Sequence, residues 1–277
     1  MPNYICATCG VQFTESDEPP ANCPICDDER QYIGWSGQQW TTLESLQATY
    51  HNVIRPREPG LIGIITHPQF AIGQRALLVQ APDGNILWDC LTLIDEPTIA
   101  AVQAWGGISA IAISHPHYYS SIVEWSRAFN VPVYIHAADR QWVMRPDSAV
   151  EFWEGQTKSL GEGLTLINCG GHFAGGTVLH WAAGAEGRGV LLSGDILQVV
   201  QDRRYVSFMY SYPNLIPLPV SAITRIMDAI EPFAFDRIYG AFEGKIVQEN
   251  AKANVAYSAE RYIKALEGTF GQIQSET

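Results

Sequence analysis

Two groups of side chains in this chain have the types and the spacing of metal ligands. Four cysteines form two pairs near the N-terminus, Cys6-Ala-Thr-Cys9 and Cys23-Pro-Ile-Cys26. Three histidines and one aspartate lie far downstream, namely His115, His117, His172 and Asp195. Four thiolates close the shell of a structural metal ion, whereas three imidazoles and a carboxylate leave a position open for water or substrate. The sequence therefore predicts one structural metal site and one reactive metal site.

The cysteine pairs predict a small module, residues 1–40, that a metal ion stabilises. Thirteen residues separate Cys9 from Cys23, which is enough for a loop that closes on itself. A segment this short buries too little apolar surface to fold without such a staple. Its knuckles, Tyr-Ile-Cys-x-x-Cys-Gly and Cys-Pro-x-Cys, resemble those of rubredoxins and zinc ribbons. Tetrahedral thiolate suits both zinc and iron, and Asp27, where rubredoxins tend to have glycine, favours zinc.

The downstream ligands each follow a predicted strand. His115-Pro-His117 comes after the apolar run 108–113, and Asp195 comes after 190–193. His172 follows a strand at 164–168 and lies between two Gly-Gly pairs, where the backbone can approach an ion closely. Ligands at strand ends allow a rigid sheet to hold a metal while loops shape the pocket.

The rest of the chain alternates between predicted strands and helices, which indicates an α/β fold. Residues 75–80 and 85–89 read as a hairpin around a Pro-Asp-Gly turn. Pro56, Pro59 and Gly60 predict a linker near the start of the larger domain, residues 41–277. Helices are predicted at 41–50, 97–105, 121–129, 221–230 and 248–266, and further strands at 131–135, 177–181 and 235–239.

Composition excludes several classes of partner. The chain has 277 residues, a formal net charge of −12 and no long acidic run, which disfavours binding to nucleic acid and to anionic membranes. No apolar run approaches the roughly 18 residues of a membrane span. The first ten residues, MPNYICATCG, lack the basic start and apolar stretch of a signal peptide. We expect a cytoplasmic protein with a small-molecule substrate, whose reduced thiols bind metal.

The order of the downstream ligands resembles the metallo-β-lactamase superfamily over residues 60–277. The family pattern is His-x-His-x-Asp-His after a strand, then a Gly-His segment, an Asp after another strand, and a late His. The Asn-Ile-Leu-Trp-Asp-Cys strand at 85–90, followed by Asp95 and a helix, also resembles the family's opening. The resemblance implies an αββα sandwich, here preceded by the small four-cysteine, zinc-ribbon-like module. It also implies hydrolysis of esters, thioesters, lactams or phosphodiesters.

The chain departs from the family pattern at the ligands that serve only a second metal ion. Tyr119 and Ser120 stand where the pattern has Asp and His, and Phe242 occupies the late-histidine position. All four residues that the resemblance assigns to the first ion remain. We therefore expect a single Zn²⁺ or Fe²⁺ ion held by His115, His117, His172 and Asp195.

Because the family's second-ion ligands are missing, several residues are candidates for the catalytic roles. Asp195 can serve as ligand or as base, Glu243 is a substitute base, and Tyr119 can donate a hydrogen bond to a developing oxyanion. The leading interpretation is a single-metal hydrolase. The alternatives are a mononuclear iron oxygenase of the same superfamily and a metal-binding regulatory protein without turnover. The aromatic stretch 205–212 is either a substrate-facing loop or a contact in a homo-oligomer.

Overall fold

The computed structural model of the chain describes residues 1–270. Its strands are, in chain order, β1 (Ile5–Cys6), β2 (Trp40–Thr41), β3 (His51–Glu58), β4 (Leu61–His67), β5 (Arg75–Val79), β6 (Ile86–Trp88), β7 (Ala110–Ala112), β8 (Val133–His136), β9 (Val150–Trp153), β10 (Thr157–Gly161), β11 (Leu164–Asn168), β12 (Thr177–Trp181), β13 (Val190–Gly194), β14 (Gln198–Val199), β15 (Val206–Ser207), β16 (Met209–Ser211), β17 (Ile216–Pro217), β18 (Arg237–Gly240) and β19 (Ile246–Val247). Its helices are α1 (Pro24–Asp27), α2 (Leu43–Gln47), α3 (Glu96–Ala104), α4 (Ile122–Phe129), α5 (Gly184–Gly187), α6 (Val220–Ile230) and α7 (Ala251–Leu266), with 3-10 turns at Pro116–Tyr118 and Ala137–Trp142.

Two sheets pack face to face and form the centre of the molecule. The first has the strand order β3-β4-β5-β6-β7-β8-β9 and the second the order β10-β11-β12-β13-β18-β19. Apolar side chains from both sheets form one buried cluster between them, for example Leu77 and Trp88 against Leu166 and Leu179. Strand side chains alternate between the two faces of a sheet, so each sheet also has an apolar outer face that another layer must cover.

Helices cover both outer faces. Trp125 of α4 belongs to the same buried cluster as Ile111 of the first sheet. On the second sheet, Ile223 and Ile226 of α6 share a buried cluster with Leu191. Residues three or four apart lie on one face of a helix, so α6 presents a continuous apolar stripe to the sheet. The layers are therefore helix, sheet, sheet, helix, which confirms the predicted αββα sandwich. Within residues 1–270, no helix combines the length and the apolar character needed to cross a membrane.

Most of the predicted elements are present, and one prediction was wrong. β5 and β6 form the expected antiparallel hairpin. Asp95 caps the N-terminus of α3, because its side chain accepts a hydrogen bond from the backbone N–H of Thr98. The predicted linker is instead the hairpin of β3 and β4, with Pro59 and Gly60 in its turn. Pro56 misled the prediction because proline, which cannot donate to a sheet ladder, is tolerated in an edge strand such as β3.

The N-terminal module packs directly on the sandwich. Its cysteines, together with Val11 and Ile25, belong to the buried cluster that covers the outer face of the first sheet. The backbone N–H of Gln12 donates to the carbonyl of Ser120 at 3.0 Å, and Thr92 Oγ1 donates to the carbonyl of Gly10 at 2.8 Å. β1 pairs with β2, whose two residues lie on either side of the predicted boundary between residues 40 and 41. The division into domains at that residue stays a prediction.

A buried carboxylate joins the edge of the first sheet to the second sheet. Glu58, at the end of β3, pairs with Arg237 of β18, and its side chain is 8% exposed. It also accepts hydrogen bonds from Tyr239 Oη and from the backbone of Ala185, both at 3.1 Å. Charge-assisted hydrogen bonds of this kind hold two elements in a fixed relative position.

We expect Glu58→Ala to lower the free energy of unfolding by about 2–3 kcal/mol, because it leaves the Arg237 guanidinium and the Tyr239 hydroxyl without their acceptor. Urea unfolding followed by tryptophan fluorescence measures the change. The control is Glu260→Ala, which removes an exposed i,i+4 pair with Lys264, and such pairs contribute about 0–1 kcal/mol. Equal effects of the two substitutions would contradict a role for Glu58 between the sheets.

Candidate metal centre

Four metal-ligating side chains meet where strands of both sheets end. His115 follows β7 of the first sheet, and His117 lies in the 3-10 turn that comes next. His172 follows β11, and Asp195 follows β13, both in the second sheet. Their four ligand atoms all lie within 4.8 Å of one another. The structure thus brings together the four residues that the sequence singled out.

The spacing of these atoms suits a small divalent ion. His117 Nδ1 lies 3.3 Å from His172 Nε2, and His115 Nε2 lies 3.8 Å from Asp195 Oδ2. Two ligands that each lie about 2.0–2.1 Å from a tetrahedral zinc ion are about 3.3–3.4 Å apart. The His117–His172 pair therefore has the separation that zinc needs, whereas His115 and Asp195 need a small shift towards each other.

Burial leaves the imidazoles neutral, which is the state that binds metal. It lowers the pKa of His172 to about 4 and holds the pKa values of His115 and His117 well below the usual range. Burial also raises the pKa of Asp195 to about 7. His115 Nε2 and Asp195 Oδ1 have no hydrogen-bond partner within residues 1–270. Buried polar atoms without partners are costly, and a bound cation would satisfy both, so the residues fit a metal ion.

Hydrogen bonds behind the ligands fix their orientation. His172 Nδ1 donates to the carbonyl of Tyr210 at 2.7 Å, so its Nε2 is left to face the site. His115 Nδ1 lies 2.9 Å from Ser114 Oγ. The backbone N–H of Ser114 donates in turn to Asp89 Oδ1 at 2.8 Å. The sequence did not identify these partners, although Asp89 at the end of the Ile-Leu-Trp strand carried a signal, because a carboxylate after a buried strand needs donors.

Gly194 allows the two ligand-bearing loops to approach each other. Its φ is +51°, and a Cβ atom at this position would lie 2.5 Å from Ser114 Oγ. A larger residue would therefore push Ser114 away and carry His115 with it. This glycine explains why Asp195 of one sheet can lie beside His115 of the other.

A cavity of about 280 Å³ opens beside the ligands and is lined by His117, His172 and Asp195. Phe242, which the resemblance puts at the late-histidine position, lines it as well. Further parts of the wall come from the N-terminal module, through residues 8 and 30–32, and from the loop at 69–72. The size suits a compact small molecule.

Two predicted catalytic residues do not reach this cavity. Tyr119 Oη donates to the backbone carbonyl of Asp139 at 3.4 Å, and its side chain is buried away from the ligands. Glu243, the residue after Phe242, forms an ion pair with Arg57 at 2.6 Å and lies 3.8 Å from Arg75. Neither residue lines the cavity. Sequence spacing places a residue along the chain, but the direction of its side chain depends on packing.

Tyr118, one residue earlier, is the tyrosine near the ligands. Its ring lies 4.4 Å from that of His115, and burial followed by the charge of Asp195 raises its pKa well above the usual range. Its hydroxyl makes no well-formed hydrogen bond within residues 1–270.

Ser120 points into the protein, where its Oγ donates to the carbonyl of Cys90 at 3.2 Å. Within the described chain, the only groups of three or more His, Cys, Asp or Glu side chains that can hold an ion are this one and the cysteine cluster.

The four cysteines also have the geometry of a metal site. Cys6 Sγ lies 3.6 Å from Cys26 Sγ, and Cys9 Sγ lies 3.7 Å from Cys23 Sγ. A disulfide requires about 2.05 Å, whereas thiolates about 2.3 Å from a tetrahedral ion are about 3.8 Å apart. The cluster therefore fits a closed site with four thiolate ligands.

Comparisons with known proteins agree with this architecture. The model of the metallo-beta-lactamase superfamily matches residues 72–223. The chain is 53% identical over 268 residues to "Uncharacterized protein YmaE" of Bacillus subtilis (strain 168), with 96% of this chain and 97% of that protein covered.

Two solved structures, VMB-1 and the metallo-beta-lactamase FIM-1, have the same fold. VMB-1 superposes with a TM-score of 0.59 at 13% identity over 78% of this chain and 98% of its own. FIM-1 from Pseudomonas aeruginosa, in its mono-zinc form, superposes with a TM-score of 0.55 at 16% identity over 76% of this chain and 95% of its own. By family match, fold and the order of its four ligands, the chain belongs to the metallo-beta-lactamase superfamily.

Proposed function

We propose that this protein is a hydrolase with a single metal ion, held by His115, His117, His172 and Asp195, that acts on a compact ester, thioester or phosphodiester. The observation that carries the proposal is the convergence of three neutral imidazoles and one carboxylate on the wall of a cavity. The two sheets are already held together by their buried apolar cluster, so a metal ion on the cavity wall is better explained by chemistry than by folding.

The donor set supports zinc at both sites. A zinc ion in a site with an open position polarises a carbonyl or phosphoryl oxygen and activates a water molecule at neutral pH. Iron also accepts imidazole and carboxylate ligands, and iron in the histidine site would favour the oxygenase alternative. We propose zinc for the four-cysteine site, where the closed thiolate shell gives the ion a structural role.

The protein's own groups prepare the cavity for this chemistry. The carbonyl of Tyr210 holds the ring of His172 in one orientation, and the Asp89–Ser114 pair does the same for His115. Tyr118, rather than Tyr119, supplies a hydroxyl beside Asp195. Side chains fixed in this way need little reorganisation when a substrate binds.

We expect elemental analysis of the purified protein to find two metal ions per chain. The double variant His115→Ala/His117→Ala should retain about one, because the four-cysteine site is independent of these ligands. Cys6→Ser/Cys9→Ser should also retain about one and should lower the thermal midpoint, since the cysteines are part of the buried cluster on the first sheet. Three ions per chain in the wild type would contradict the loss of the second-metal ligands.

We expect turnover of at least one of 4-nitrophenyl acetate, a phenyl thioacetate and bis(4-nitrophenyl) phosphate, with loss of more than about 100-fold in His172→Ala, because the ion loses a ligand. The matched comparison is Tyr119→Phe, which removes only a 3.4 Å contact with a backbone carbonyl and should keep kcat within about twofold. A large loss in Tyr119→Phe would restore it as a catalytic residue. Metal at the histidine site with no turnover on any of the three would favour the regulatory alternative.

A further inference from the structure

We propose that Gln31 of the N-terminal module recognises the ligand of the metal cavity, through a side-chain oxygen that accepts a hydrogen bond from an N–H or O–H group of the bound molecule. The inference rests on the proposed metal centre and narrows its substrate class. The substrate would carry a hydrogen-bond donor close to the group that reacts.

Gln31 is a buried polar residue with an unpaired acceptor. It is 6% exposed, and its Oε1 has no hydrogen-bond partner within residues 1–270. It lines the same cavity as His117 and His172. Burying an amide oxygen without a partner is unfavourable unless a bound molecule supplies the donor. His115 Nε2 and Asp195 Oδ1 also have no partner within residues 1–270, and both belong to the four residues proposed to hold the metal ion, whereas Gln31 does not.

The backbone of Gln31 is held on both sides, so the amide is presented from a fixed position. Its N–H donates to the carbonyl of Asp28 at 2.9 Å. Its carbonyl accepts a hydrogen bond from Asn214 Nδ2 at 3.1 Å, and the same amide donates to the carbonyl of Glu29 at 2.9 Å. Asn214 lies in the turn between β16 and β17, so this segment of the module is held to the turn whose Tyr212 and Pro213 also line the cavity.

The neighbouring Arg30 anchors the segment and is not free to bind an anion. Its Nε and Nη2 donate to the Asp28 carboxylate at 2.5 and 2.7 Å. Its Nη1 donates to the carbonyl of His172 at 3.3 Å, and its guanidinium stacks 4.0 Å from the centre of the Phe173 ring. Since the charge of Arg30 is matched by Asp28, this wall of the cavity favours a neutral donor over an anionic group.

The arrangement gives the N-terminal module a role beyond folding. Cys23 directly precedes α1 and Cys26 lies within it, and the backbone N–H of Asp27 donates to the carbonyl of Cys23. The knuckle therefore fixes the chain direction into residues 28–31. A metal ion held by four thiolates would thus position Gln31 in a cavity whose other metal site is made by the sandwich.

A pair of zinc-binding probes that differ in one N–H group tests the inference. Acetohydroxamic acid offers a metal-binding group with an N–H donor beside it, and N-methylacetohydroxamic acid lacks that donor. We would measure both by isothermal titration calorimetry on the zinc-loaded full chain. The proteins are the wild type, Gln31→Met, which keeps the length without an acceptor, and Gln31→Glu, which keeps an acceptor. The control is Gln39→Met, the same change at an exposed site of the same module.

We expect the wild type to bind acetohydroxamic acid about five- to tenfold more tightly than its N-methyl analogue, which is the effect of one hydrogen bond. Gln31→Met should reduce this preference to less than about twofold, whereas Gln31→Glu and Gln39→Met should keep it. Thermal midpoints and zinc content, measured on the same samples, show that each variant is folded and loaded.

The inference and the proposed function fail in different ways. Wild-type protein without an ion at the histidine site would overturn the proposed function. An ion at that site with the same probe preference in wild type and Gln31→Met would overturn only the role of Gln31. A loaded wild type that binds neither probe, or that shows no preference between them, would also overturn it.

Discussion

The metal centre depends on two sheets held face to face, because each contributes half of the ligands. His115 and His117 follow a strand of the first sheet, and His172 and Asp195 follow strands of the second. A hydrogen bond between the sheets lies directly behind this junction, where the backbone N–H of Thr177 donates to the carbonyl of Ser114 at 2.9 Å. A shift of one sheet by about 1 Å would separate the ligand pairs, so the packing of the sandwich interior is part of the site.

The residues around the ligands fix the positions of the ligand side chains. Gly194 has room for no side chain next to Ser114, and Ser114 lies between Asp89 and His115. These contacts fix the end of β13 relative to the end of β7. Burial then keeps the imidazoles neutral, as metal binding requires. Ser120 and Phe242, which the resemblance puts at second-ion positions, differ in placement, since Ser120 bonds inward and Phe242 lines the cavity.

The N-terminal module and the sandwich pack together around the candidate metal cavity. The module shares a buried cluster with the first sheet and contacts the loop of the second sheet that carries His172, through Arg30. It also forms part of the cavity wall. These contacts connect the four-cysteine cluster to the wall of the cavity beside the histidine cluster.

The sequence by itself identified the four candidate ligands that the structure brings together, the order of the strands that carry them and the sandwich. Metal ligation requires particular residue types, and apolar runs that end in His or Asp are visible without any structure. It also indicated one ion rather than two, through Tyr119, Ser120 and Phe242. Only the tertiary structure decided which side chains face the cavity. Tyr119 and Glu243 point elsewhere, Tyr118 lies beside Asp195, and Gln31 reaches the site from residues that the sequence assigned to a separate module. Local patterns specify a residue's element and its neighbours in the chain, whereas the direction of a side chain depends on packing between segments that are far apart in the sequence.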